Sequence, residues 1–169
     1  MKKNTASLPA VSSVPKKLRK RATMSKRTEL IALMTAAGCT DPRNWVGSEL
    51  SENKPQFARF LFLKEFHEIV DEVENTLAGC EEYSPDISAT LKILQETLSA
   101  ESLHTFLRVY GKALGNAFVM MLDYGPEYTE AGAPGWALME TNTEGETTDR
   151  LIQGLHEDYL DFEESYVKK

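Results

Sequence analysis

The sequence is poor in the residues most often used for chemistry. It has three histidines, His67, His104 and His156, and two cysteines in 169 residues. Cys39 and Cys80 form neither a CxxC pair nor a zinc-finger spacing, so they read as reduced, partly buried thiols of a cytoplasmic protein. No GxxxxGK[ST], GxGxxG or GxSxG occurs, which removes the usual phosphate cradles and the nucleophile elbow. The tract "GPEYTEAGAPG" has glycines but no lysine beside them, and Glu127 and Glu130 would repel phosphate. Long apolar runs are also missing. The most apolar window, "FLRVYGKALGNAFVMML", carries Arg108, Lys112 and Asn116 and is too interrupted to span a bilayer alone. No apolar h-region follows the N-terminal lysines. A cytoplasmic protein without membrane contact is the expectation.

Acid is absent from the N-terminus. Residues 1–27 hold nine basic side chains and no acidic one, whereas the other 142 residues hold ten basic and 26 acidic ones, a net of −16. The overall −7 therefore hides a basic tail on a strongly acidic body. The tail has two prolines, small polar residues and no periodic apolar face, so the expected organisation is a disordered basic tail, 1–27, and a single acidic globular domain, 28–169. Within the tail, "KKLRKR" (Lys16–Arg21) is suited to nucleic acid, to an acidic partner or to the chain's own acidic body; a solvated extension is the simplest reading. Met24 is a second candidate start, because "MSKRTELIALM" opens a helix directly. An apolar fraction of 41% supports a real core, and a body of about 140 residues buries roughly two-thirds of its unfolded surface without staples.

What is present is helical periodicity. From Ser25, Leu30, Ile31, Leu33 and Met34 make an apolar band that Gly38 stops. Asp41 and Pro42 predict a single helical turn leading to Trp45. Asn53 with Gln56 resembles a capping box opening a long helix over about 54–78, ended by Gly79. Ser84 and Pro85 predict the start of another helix, with Ile87, Leu91, Leu94 and Leu98 on one face. Ser99 caps the next, which is apolar nearly all round and is expected to be central. Leu107 and Phe118 are its expected core residues, and His104, Arg108, Lys112 and Asn116 its solvated stripe. Gly111 and Gly115 would let another element approach closely; with a charged stripe beside them they read as soluble packing.

Residues 123–135, with three glycines and two prolines, predict a loop. "WALMET", "NTEG" and "ETTDRLI" predict a β-hairpin with Gly145 in the turn and Trp136 and Leu138 as anchors. A helix over the same residues would have to carry Gly145 and three threonines. Leu155, Tyr159, Phe162 and Tyr166 then return to helical spacing, with acids opposite. The expected fold class is mainly α (α+β): a helical bundle of about five helices with one small β-hairpin near the C-terminus.

The candidate chemistry is thin. Glu101 and His104 have the i, i+3 spacing of di-iron bundles, but those need the motif twice. "HEIVD" starts like HExxH and has Asp71 where the second histidine should be. His156, Glu157 and Asp158 could form an acid–base cluster, although a surface histidine is the plainer reading. No catalytic residue, metal ligand or cofactor is assigned. The acidic clusters are either a solvated face or a surface for a basic partner, as in small acidic inhibitors of nucleases. Aromatic side chains among acids place the candidate partner-binding edge at Tyr124, Glu127, Tyr128, Glu130, Trp136, His156, Glu157, Asp158 and Asp161. The expected function is a non-enzymatic acidic protein-binding domain, specifically an immunity-type inhibitor or antagonist of a basic toxin or nuclease. The alternatives are a regulator that contacts nucleic acid through the tail, and a small hydrolase or metal enzyme using His156 or His104. Nothing in the pattern sets the oligomeric state.

Because residues 1–23 lack a core-forming pattern, their removal should change stability by less than about 0.5 kcal/mol in urea denaturation. A larger loss would mean that the tail docks on the body.

Overall fold

The computed structural model describes residues 25–84, 86–125 and 134–168. The Lys16–Arg21 cluster, Pro85 and three members of the expected edge, Glu127, Tyr128 and Glu130, lie outside the described residues. Ser25 caps α1 (Lys26–Ala36), its hydroxyl accepting the Thr28 N–H at 3.2 Å. Lys26 and Arg27 are therefore part of the first helix, and the body starts before the expected boundary at residue 28. Asp41 caps α2 (Pro42–Glu52) by accepting the Asn44 N–H at 3.4 Å. The expected single turn is in fact eleven residues long, because Val46 and Glu49 on its inner side are buried against the body.

Asn53 adopts a left-handed conformation (φ 55°) and closes α2, so the expected Asn53–Gln56 capping box does not form. The next helix is capped from its neighbour instead: Glu49 Oε2 accepts the Phe57 N–H at 2.8 Å. The long helix expected over 54–78 is two helices, α3 (Gln56–Asp71) and α4 (Val73–Tyr83), and Gly79 lies inside the second. Neither proline nor glycine marks the break. It falls beside Asp71, whose carboxylate accepts from Arg108 Nε and Lys168 Nζ, both at 2.6 Å. Ser84 ends α4 rather than starting α5 (Ile87–Thr97). Ser99 does cap α6 (Ala100–Asp123), accepting the Ser102 N–H at 3.1 Å.

The hairpin forms as expected from β1 (Met139–Thr141) and β2 (Thr147–Leu151), paired antiparallel with one irregularity in register. Gly145 has φ 83°, and Asn142 Oδ1 accepts the N–H groups of Glu144 and Glu146 at 3.0 and 2.9 Å. Arg150 ties the hairpin to the helices by binding Glu140 of β1 and Glu49 of α2, the latter at 2.8 Å. This holds the Glu140 carboxyl below its ordinary range, against an opposing effect of burial. Leu138 anchors the hairpin to the core. Trp136 lies before β1 and remains 41% exposed. The fold is thus mainly helical, with one hairpin near the C-terminus and seven α-helices among the described residues rather than about five.

The core gathers α1, α2, α3 and the far half of α6 around the C-terminal segment. The single last helix predicted there is a short α7 (Leu155–Tyr159) followed by a 3₁₀ turn, Phe162–Glu164. The predicted face is still right, since Leu155, Tyr159, Phe162 and Tyr166 are all buried. Phe162 touches the rings of Phe60, Tyr166, His67 and Trp45 at centroid distances of 5.4, 5.4, 5.5 and 6.1 Å. Thr40 N–H to Ser165 O and Val167 N–H to Gly38 O then stitch the chain end beside α1.

The orientation of α6 overturns the expected one. Its charged stripe turns inward: Arg108 binds Asp71 and Glu163, and Lys112 binds Glu163. Its buried positions are Leu103, Gly115 and Val119, whereas Leu107 is half-buried and Phe118 is 47% exposed. Half-buried carboxylates on α3 and the C-terminal segment need cationic partners, and this side of α6 supplies them. Gly115 is a close-approach glycine, as expected. A Cβ there would lie 2.6 Å from Phe66 Cε1 and would run into the Tyr159 hydroxyl.

Gly115→Ala should therefore destabilise by about 1–3 kcal/mol through overpacking. Gly79→Ala, in open space inside α4, should instead stabilise by about 0.4–1 kcal/mol. Thermal denaturation of both variants checks the pair; equal effects would contradict the α6–α7 packing.

A candidate partner-binding edge at the end of the long helix

Three of the expected edge residues, Tyr124, Trp136 and His156, lie at the end of α6. Asp123 is the last residue of the helix and its side chain is 3% exposed. Its Oδ2 accepts the backbone N–H of His156 at 2.8 Å and contacts His156 Nδ1 at 2.7 Å. The other imidazole nitrogen, Nε2, lies 3.0 Å from the Tyr124 hydroxyl, with the two ring centroids 5.0 Å apart. Asp123, His156 and Tyr124 thus form one chain of side chains that joins the end of α6 to the start of α7. Trp136 belongs to the same end. Its indole N–H donates to Met121 O at 3.1 Å, and its ring occupies the space that a Cβ on Gly125 would need.

The acids of the edge divide into two sets. Asp158 is paired, accepting from the buried Arg59 at 2.7 Å, while Arg59 also donates to Gly154 O. Glu163 is shared by Arg108, Lys112 and Lys168. Glu157, Asp161 and Glu164 are exposed and form no salt bridge among the described residues. Leu160, 71% exposed, stands beside Asp161 as an apolar side chain among acids. The sequence pattern does not single out Leu160, because Leu155, Tyr159 and Phe162 account for the apolar face. Asp123 carries a local signal, an acid directly after the apolar run 118–122, but its histidine partner lies 33 residues away.

The structure therefore brings together Tyr124, Trp136 and His156, pairs Asp158 with Arg59 while leaving its side chain 39% exposed, and leaves Glu157 and Asp161 at the surface. His104 is elsewhere, 3.7 Å from Glu74 in the first turns of α6. Twenty residues of helix separate it from Tyr124, about 30 Å at 1.5 Å per residue, so His104 and His156 cannot share a site. Among the described residues, no three His, Cys, Asp or Glu side chains are arranged to hold a metal ion, and no helix is long and apolar enough to cross a membrane.

Comparison with protein-family models, curated proteins and solved structures finds no match for this chain. Its function has to be argued from the geometry.

Burial works to raise the carboxyls of Asp71 and Glu163, but their cationic partners outweigh it and hold both below the ordinary range. A depressed folded-state value means that the unfolded chain takes up protons first as the pH falls. Their stabilisation is full at neutral pH and is lost as the pH drops below about 4 through the folded values. Asp158 has the opposite sign, since burial raises it despite Arg59. Asp71→Asn should therefore flatten the loss of stability between about pH 5 and 3, whereas Asp158→Asn should leave it unchanged or steeper. Urea denaturation across that range decides; a flattening in both would contradict the assignment.

Proposed function

We propose that this chain acts by binding another protein, a basic one, and that it is an inhibitor or antagonist of that partner rather than an enzyme. The observation that carries this reading is the set of exposed acids on the C-terminal segment, Glu157, Asp161 and Glu164, which form no salt bridge among the described residues and are interleaved with the exposed Leu160. Carboxylates with no internal counter-ion carry their full attraction to an incoming cation. They steer a basic partner and select it against acidic ones. Apolar and aromatic side chains within such a rim supply the anchoring area. The net −16 of residues 28–169 fits the same role. A basic toxin or nuclease is the partner class that fits this charge.

The Asp123–His156–Tyr124 chain favours positioning over catalysis. Asp123 Oδ2 is used to hold the first turn of α7 as well as the ring, and Tyr124 covers the other nitrogen. Both imidazole nitrogens are thus engaged within the protein, which leaves none for a substrate proton.

Glu157, Asp161 and Glu164 should together tolerate replacement by lysine, because none of them has a cationic partner to lose. In a pull-down from a lysate of its own organism, the wild-type protein should retain a basic protein at low salt and release it at about 0.5 M salt, where exposed charges are screened. The triple reversal should retain none. If the folded triple variant holds the same protein equally well, the acidic edge is only a solvated surface.

A further inference from the structure

One side of α6 has no partner among the described residues. From Val109 to Leu122 the only charged residue is Lys112, and it points inward to Glu163. The outward side carries Phe106, Val109 and Tyr110, exposed by 62, 59 and 60%, and Leu114 and Phe118, each exposed by 47%. Across a groove of about 380 Å³ lie Phe66, Ile69 and Val73 of α3 and α4. With Ile69 included, these side chains leave roughly 700 Å² of apolar surface in water, taking about 200 Å² for each large side chain. That exceeds the few hundred Å² usual for a monomer's largest apolar patch. It also matches the roughly 800 Å² that each partner contributes to a standard stable interface.

We infer that this face is covered by a second copy of the chain, with α6 packed against α6 across a two-fold axis. Three observations favour a second copy over the basic partner proposed above. The area is that of one side of a standard interface. The face holds no acid, so nothing on it recognises a cation, and the acids that could do so lie on the C-terminal segment. The face is also self-complementary. Leu107, Tyr110, Leu114, Ala117 and Met121 follow the alternating three- and four-residue spacing of a helix-pairing seam. Large side chains (Phe106, Tyr110, Leu114, Phe118) alternate with the exposed, small Ala113 and Ala117, so one surface offers both knobs and holes. The helix is about 36 Å long, which is enough for such a seam. The neighbouring α4 and α5 have little core of their own, since among the described residues α5 buries none and α4 only Val73.

This inference does not rest on the proposed function, and salt separates the two. Two bodies of like charge repel, so the dimer should hold or tighten as salt rises, whereas capture of a basic partner weakens. The test is sedimentation velocity and light scattering on the full chain between about 1 and 100 μM. The expected mass at the upper end is twice 19.0 kDa. Tyr110→Glu with Phe118→Glu should weaken the dimer at least ten-fold while circular dichroism still shows the helical fold. If that double variant does not fold, Leu114→Ala alone should give the same direction of shift, because it removes a half-exposed side chain. A wild-type chain that stays monomeric at about 100 μM overturns the inference and leaves the face to a different protein. A dimer indifferent to folded variants on this face overturns it as well.

Discussion

The burial of Phe162 is the constraint on which the rest of the molecule depends. Its side chain is fully enclosed, and four other rings, from α2, α3 and the C-terminal segment itself, are arranged around it. The C-terminal segment thus fills the centre of a body built from α1, α2, α3 and the far half of α6. A continuous helix could not do this, because Tyr159, Phe162 and Tyr166 must turn into different parts of one cavity. The chain therefore tightens into a 3₁₀ turn and ends in extended pairing with Cys39. Loss of one aromatic side chain in such a place typically costs about 3–5 kcal/mol.

The position of α6 follows from that arrangement. With the core already filled by the C-terminal segment, α6 is not needed as a central helix. It closes the body with the side that can neutralise Asp71 and Glu163 and that has, at Gly115, room for the Tyr159 hydroxyl. The consequence is that its most apolar side faces water. The same event creates two surfaces of different chemistry: a charge-free apolar one along α6, and an acidic one along the C-terminal segment. The two proposed associations would use these separate surfaces and would respond oppositely to salt.

The Asp123–His156–Tyr124 chain joins the two surfaces. It fixes the end of α6 to the start of α7, so the acidic segment is presented at a set distance from the apolar face. His156 is thereby held at both ring nitrogens, while His67 is buried in the core, hydrogen-bonded at 2.9 Å to Tyr159 O and shifted downward by burial.

What the sequence determined by itself is local. Caps at Ser25, Asp41 and Ser99, the Gly145 turn and the threonine-rich strands are short-range physics, set by side chains within a few residues of the backbone groups they satisfy. Periodicity also found the buried side of the C-terminal segment, because Leu155, Tyr159, Phe162 and Tyr166 have no other apolar neighbours to compete with. The edge candidates Tyr124, Trp136 and His156 were legible as aromatic and imidazole groups among acids. The tertiary structure decided what depends on distant partners. It broke the long helix at Asp71 with no local signal, gave Glu49 the cap that Asn53 was expected to supply, and paired Asp158 with the buried Arg59. It also chose which side of α6 to bury. A helix apolar nearly all round fits a core in more than one orientation, and its own sequence cannot rank them. The choice fell to carboxylates 37 and 55 residues away from Arg108, because a half-buried charge without a counter-ion costs more than an exposed leucine.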